Sequence, residues 1–443
     1  MYQKQKLINS FIKPISILWV GSLSGALSAF ILQIFLARNL SLEEYGIFAT
    51  AFITISTVAS FANFGIHQLF LRIFGIEGRF AYRWVKPSYR LIIFGVLLTS
   101  ILVAVWAIFG PHNFIFTLLL LIMIPLILSQ SIFFMVTAKF QLEEKYSLLS
   151  FWTAVPHLLR VITITIVFMY FNSYWNVYSI AYIFTLCSVI IVVVGLYQLK
   201  LMKDEKLVLK GHGIEKKSLN ESKKYTETIR IKDVFINTWP YGLSAIFWLI
   251  FFQTDVIFLE YIDGAKSAGI YNAAFSVIMG IYILPGIIYQ QFLMPKIHRW
   301  MNKDKEKFLI LHHSGNRYMV SLGFLIGCLL FFLAPLFMPI IFGDLYIRSI
   351  DVLLIFAIAL PIRFLSTSAG APFYTNNGMK LHVKILGFAA LLNCCLNIIL
   401  IPVYSVNGAA FSTLISEIFL LAAYYIFLNK IFIKDQLKEH NSL

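Results

Sequence analysis

Aspartate is absent from the first 203 residues of this sequence, where the only acids are Glu43, Glu44, Glu77, Glu143 and Glu144. Charge of any kind is scarce: Asp, Glu, Lys and Arg make up 13% of the residues, against 59% apolar and 16% aromatic, and the mean hydropathy is +0.81. An ordinary soluble domain carries roughly a quarter charged residues. That class is excluded, and most of the surface must face lipid. Only four cysteines occur, Cys187, Cys328, Cys394 and Cys395, all within apolar runs and without Cys-x-x-Cys or His-rich metal spacing. A zinc module or disulfide framework is therefore excluded. The cysteines read as packing residues, and no metal or cofactor is implied.

What the chain has instead is apolar runs of about 20 residues, each long enough to cross roughly 30 Å of hydrocarbon as a helix. Twelve are read, at approximately 14–36, 46–67, 89–110, 114–138, 148–171, 175–198, 236–260, 268–292, 318–341, 350–371, 382–403 and 407–429. The first follows Lys4, Lys6 and Lys13 but is too long for a signal-peptide core and lacks a small-residue cleavage site. It is expected to stay as a membrane anchor.

Basic residues are retained on the cytoplasmic side of a membrane. With twelve spans, 31 of the 36 Lys and Arg fall on one side, only Arg38, Lys266 and Arg348 on the other, and Arg160 and Arg363 inside spans. This places both termini in the cytoplasm. The formal net charge of +15 is thus a consequence of topology and calls for no nucleic-acid partner.

The longest polar interval, 199–235, is rich in Lys and Glu, contains Gly-His-Gly, and follows the sixth span. It reads as a cytoplasmic linker between a six-helix lobe at 1–198 and a second at 236–443 that includes the tail. Six is even, so the two halves insert with the same orientation, as parallel repeats with a substrate path between them. A repeated phrase supports this. EEYGIFATAF, 43–52, returns as KSAGIYNAAF, 266–275, at the start of the second span of each half. Gly46 and Gly269 lie where a tight turn or close helix packing needs a residue without a side chain.

ARNLSLEEYG (37–46), FGIHQLFLR (64–72), TDVIFLEYIDGAKSAGIYNAAF (254–275) and NCCLNIILIPVYSVNGAAFSTLISE (393–417) resemble the Wzx-type polysaccharide flippases. Their superfamily also holds MATE multidrug exporters and peptidoglycan-precursor flippases. The resemblance covers nearly the whole chain. Ser41, Ser405 and Glu260 depart from it, standing where the family often has a small residue or glycine. It implies a V-shaped pair of six-helix lobes in the bacterial inner membrane. Such a protein moves an undecaprenyl diphosphate-linked oligosaccharide repeat unit to the outer leaflet for O-antigen, capsule or exopolysaccharide, alongside other membrane proteins of polysaccharide assembly. Physically, the diphosphate and sugars entering bare hydrocarbon would face a desolvation cost on the order of tens of kcal/mol in an idealised apolar medium. A polar cavity open sideways to the lipid tail avoids it.

Charge inside spans points to function, because Arg or Asp at a helix centre costs roughly 2.5 to 3.5 kcal/mol on insertion scales. Thr153, His157 and Arg160 share one face of the fifth span, beside Pro156. With no acid in spans one to six, Arg160 has three candidate partners: Asp255, Glu417 or an anionic substrate held through bidentate guanidinium–phosphate contacts. Arg363 either snorkels to headgroups or lines the cavity. Asp255 and Glu417 are candidates for H+ or Na+ coupling or for structural pairs with Arg. Asn393 and Asn397 share a face suited to interhelical hydrogen bonds or to sugar contact. The stretch 72–90 alternates basic and aromatic residues, as an interfacial connector or as an attractor of an anionic carrier lipid.

Two other functions compete. A cation-coupled drug exporter of the MATE kind relies on acids in the membrane part, and the first half has none. A membrane polysaccharide polymerase or ligase needs a sizeable external loop, and the external loops here are short. The chain is expected to be a transporter and not an enzyme.

Overall fold

The computed structural model describes residues 2–171, 175–209, 228–286, 288–289, 293, 297, 305–374 and 378–440. Residues 210–227 of the expected linker, with its Gly-His-Gly, lie outside them. Among the described residues every regular element is helical. In chain order these are α1 (Tyr2–Asn39), α2 (Leu42–Asn63), α3 (Ile66–Glu77), α4 (Val85–Phe109), α5 (Phe114–Met123), α6 (Pro125–Leu142), α7 (Tyr146–Tyr170) and α8 (Val177–Lys203). After the linker come α9 (Ile231–Ile262), α10 (Ala265–Gly286), α11 (Lys305–Phe342), α12 (Ser349–Gly370), α13 (Met379–Tyr404) and α14 (Val406–His440).

Helix boundaries follow local chemistry. Ser41 begins α2 with a capping box: its hydroxyl accepts from Glu44 N at 3.2 Å, and the Glu44 carboxylate accepts from Ser41 N at 3.1 Å. Asn176 and Ser179 do the same for α8, and Asn113 accepts from Phe116 N at 2.8 Å to start α5. The single expected span 114–138 is two stacked helices, because Pro125 has no N–H to continue α5 and instead opens α6. Between α2 and α3 the chain turns through Phe64 (φ 44) and Gly65 (φ 74). A Cβ on Gly65 would stand 2.6 Å from the Gly242 backbone nitrogen, so both the backbone angle and the close approach to α9 require glycine there.

Eleven helical stretches among the described residues are long and apolar enough to cross a membrane. The sequence reading of twelve differs because two expected spans, 46–67 and 89–110, fall in one stretch, Leu42–Phe109, of 68 residues. Helix α4 shows the solvent it is built for. It buries Ile92, Val96, Thr99, Val103 and Ala107 at helical spacing and leaves Ile93, Phe94, Leu97, Ile101 and Phe109 exposed. Such a chain is a multi-pass membrane protein. The basic stretch 72–90 forms the end of α3, a 3-10 segment (Gly78–Trp84) and the start of α4, closed by Arg83 and Trp84 on the Glu77 carboxylate, both at 3.2 Å.

The helices form two compact units, residues 1–35 with 51–246 and residues 36–50 with 247–443. The boundaries differ from a simple cut at the linker: 231–246 of α9 belong to the first unit, and 36–50, with all but the last two residues of the first copy of the repeated phrase, to the second. In the first unit α6 packs on α8; in the second α11 packs on α12, and α14 on both α12 and α13.

Candidate functional site

Helix α7 places Arg160 between two rings of the first unit: the guanidinium carbon lies 4.5 Å from the Phe184 centroid and 5.4 Å from that of Phe52. Stacking on ring faces suits a planar, weakly hydrated cation. Among the described residues no carboxylate pairs with it, and its Nε has no hydrogen-bond partner. Arg160 and His157 line one cavity of about 180 Å³ together with Ser56, Ser129, Gln130 and Ser188. Thr153, on the same helical face, does not line it; its hydroxyl turns back to the Ser150 carbonyl at 2.9 Å. Gln130 and the serines were not singled out from sequence, since isolated neutral polar residues in apolar runs give little signal.

In the second unit the partners expected for Arg160 are engaged by other residues. Glu417, wholly buried, accepts from Arg363 at 3.2 Å and from the Ser366 hydroxyl at 3.2 Å. Arg363 also lies over the rings of Phe252 and Tyr282, at 4.3 and 5.2 Å. For Glu417 this is the geometry of a structural pair with an arginine, and Arg363, read from the sequence as snorkelling or lining the cavity, is the other half of that pair. Arg363 nevertheless keeps one edge on a cavity of about 40 Å³, shared with Thr367, His382 and Tyr424.

Asp255 of α9 is wholly buried and has no cation beside it among the described residues. Three neutral donors hold its carboxylate: Tyr271 Oη at 2.5 Å, Thr413 Oγ1 at 2.5 Å and Asn397 Nδ2 at 2.6 Å. Asn397 also donates to Asn393 Oδ1 at 3.1 Å. The two asparagines are thus joined to Asp255 through hydrogen bonds between α9 and α13. Asn397 Oδ1 itself has no partner among the described residues, which leaves a buried carboxylate and a buried amide oxygen close together. Tyr271 and Thr413 were missed by the sequence reading. Tyr271 carried a signal, as the hydroxyl-bearing residue of the second motif copy where the first has Phe48.

A further charged cluster lies at the end of α6. Lys139, 2% exposed, donates to Glu143 at 2.9 Å and to Gln198 at 3.1 Å, and Lys145 reaches the same carboxylate at 2.9 Å. Burial raises the pKa of Glu143, but the hydrogen bonds and charges of Lys139 and Lys145 outweigh it and hold the carboxyl below its ordinary range.

Residues 11–301 match a family model described as polysaccharide biosynthesis protein. The capsular polysaccharide biosynthesis protein CapF of Staphylococcus aureus is 29% identical over 212 residues, 46% of this chain and 51% of CapF, so the match spans about half of that relative. Among solved structures, the lipid II flippase MurJ in an inward closed conformation superposes with a TM-score of 0.66 at 14% identity, over 93% of this chain and 87% of MurJ. An inward-facing multidrug resistance transporter of the MATE family, of the MOP superfamily, gives 0.64 at 15% identity over 95% and 96%. At those identities the likeness is one of fold.

Proposed function

Because the chain belongs to the polysaccharide biosynthesis protein family, we propose that it flips a lipid diphosphate-linked oligosaccharide repeat unit across the bacterial cytoplasmic membrane by alternating access. The product would serve O-antigen, capsule or exopolysaccharide. The observation that carries this reading is Arg160, a cation without a carboxylate partner among the described residues, on a cavity whose other described lining residues include no acid. A charge so placed is stabilised by an anion that visits it, and a guanidinium meets a phosphate with two parallel hydrogen bonds.

The membrane arrangement proposed with it is twelve crossings, both termini in the cytoplasm, and lobes joined by the lysine-rich linker. The 68-residue stretch Leu42–Phe109 supports two crossings, since as a straight helix it would be about 100 Å long against a hydrocarbon core of roughly 30 Å. For energy coupling we assign Asp255, with Asn393, Asn397, Tyr271 and Thr413 around it, as the group that exchanges H+ or Na+. Glu417 is the weaker candidate because Arg363 already neutralises it.

The test is export of polysaccharide measured beside protein abundance. Arg160→Ala is expected to keep the protein in the membrane and stop export, while Arg160→Lys, which keeps charge but loses the forked geometry, retains part of it. Full export by Arg160→Ala at normal abundance would overturn the phosphate-binding role.

A further inference from the structure

The first unit carries a second, larger concavity that the site above does not use. A groove of about 490 Å³ lies between α2, α4 and the start of α9, and among the described residues no charged one lines it. Phe61, Leu98, Leu102 and Trp106 along its walls are exposed, so it opens at the surface of the unit. Its floor is sealed at Gly95, where a Cβ would stand 2.6 Å from the Ala62 carbonyl oxygen. One end is closed by Phe64 and Phe235, stacked with ring centroids 5.1 Å apart and planes 1° from parallel.

Basic residues stand at that end. Leu91, Phe94, Leu98 and Leu102 repeat at helical spacing along α4, and Arg90 lies one turn before Phe94 on the same face. Lys232 likewise precedes Phe235 by one turn of α9. Both basic residues are exposed. A groove that is apolar along its length and cationic at one end complements a lipid with an anionic head.

Length discriminates between lipids. Leu91 and Trp106 lie fifteen positions apart on α4, about 22 Å along a helix. Half of a hydrocarbon core of roughly 30 Å is about 15 Å, so the groove is longer than one leaflet's depth. An acyl chain of a phospholipid stays in its own leaflet and leaves the far part of the groove empty. Because lipid tails are as apolar as leucine, there is no hydrophobic gain in leaving the bilayer for the groove, and selectivity must come from fit and from the charge at its end.

We infer that this groove holds the polyisoprenoid tail of a phosphate-bearing carrier lipid, with the phosphate at the Arg90 and Lys232 end. The inference rests on the flippase reading for the identity of the cargo and adds where its tail is held.

The test is photolabelling of the full-length protein in bilayer nanodiscs by a polyprenyl phosphate with a photoreactive group in its tail. Adducts are expected on α2 and α4 around Val58, Phe61 and Leu98, displaced by unlabelled polyprenyl phosphate but not by the same excess of phosphatidylglycerol. Filling the groove with Val58→Trp and Leu98→Trp is expected to lower labelling about tenfold. Arg90→Gln with Lys232→Gln, both at exposed positions, is expected to lower it by a smaller factor and to reduce its salt dependence. Equal displacement by phosphatidylglycerol, or adducts confined to other helices, would overturn the inference. Should the tryptophan pair not fold, the wild-type adduct map and the Gln pair still decide. Transport in proteoliposomes, measured separately, distinguishes the two failures: transport with adducts elsewhere refutes the groove alone, and adducts in the groove without transport refute the flippase reading.

Discussion

Gly46 and Gly269 meet in reciprocal register. A Cβ on Gly46 would lie 1.8 Å from the carbonyl oxygen of Ala265, and one on Gly269 would lie 2.7 Å from that of Leu42. Each contact falls four residues before the other glycine, as twofold-related surfaces require. The repeated phrase of the sequence is therefore a packing element that meets its own copy. Asn272 donating to Tyr45 Oη at 2.8 Å buttresses the contact. Gly46→Ala and Gly269→Ala are each expected to destabilise by about 1–3 kcal/mol through overpacking. Thermal unfolding in detergent should show the double variant losing less than the sum, because both changes wedge the same contact. Strict additivity would contradict the shared contact.

Ser405 stands at the α13–α14 turn with φ 54 and ψ −133, a conformation that favours glycine. Its hydroxyl donates to the Asp263 carboxylate, an exposed contact that returns little of that strain. Ser405→Gly is expected to raise stability by about 1 kcal/mol, and Ser405→Ala, which keeps the strain and loses the bond, to lower it. Melting temperatures of the three proteins measure this directly.

Acid sensitivity is expected at the Lys139–Glu143–Lys145 cluster. The folded-state pKa of Glu143 is depressed below its ordinary 4.5, so its stabilisation is present above that value and is lost as pH falls through the lower folded one. Unfolding followed from neutral pH downward should steepen below about pH 4.5 in the wild type and do so less in Glu143→Gln. The substitution itself is expected to cost on the order of 3 kcal/mol at neutral pH, since it leaves the buried Lys139 without its counter-charge.

For Asp255, removing the charge and removing a donor should separate. Asp255→Asn is expected to keep a folded protein but to abolish the response of transport to a proton or sodium gradient. Tyr271→Phe leaves the carboxylate short of one partner and is expected to cost about 1–3 kcal/mol of stability. Gradient dependence unchanged in Asp255→Asn would move coupling to another group.

Membrane character, the apolar runs and the half-length repeat were legible in the sequence because they rest on composition and periodicity, which survive without contacts. The break at Pro125 and the capping box at Ser41 use local rules and could have been read from the same residues. Pairing was not legible. Arg160, Arg363, Asp255 and Glu417 stood out as costly charges, yet which carboxylate meets which arginine depends on the azimuth of α9, α12 and α14, and an apolar run of twenty residues does not encode that angle sharply. The departures at Ser41 and Ser405 resolve differently for the same reason. One residue found a local partner in Glu44, while the other depends on Asp263, far away in sequence.

Reconstitution measures transport itself. Proteoliposomes loaded with an undecaprenyl diphosphate-linked oligosaccharide are treated from outside with a membrane-impermeant reagent that oxidises the glycan. Wild-type protein is expected to carry the accessible fraction beyond the outer-leaflet share toward completion, and Arg160→Ala, at equal incorporation, to leave it at the outer-leaflet share. Wild-type vesicles indistinguishable from protein-free liposomes, under an imposed proton gradient, an imposed sodium gradient and none, would contradict the flippase reading.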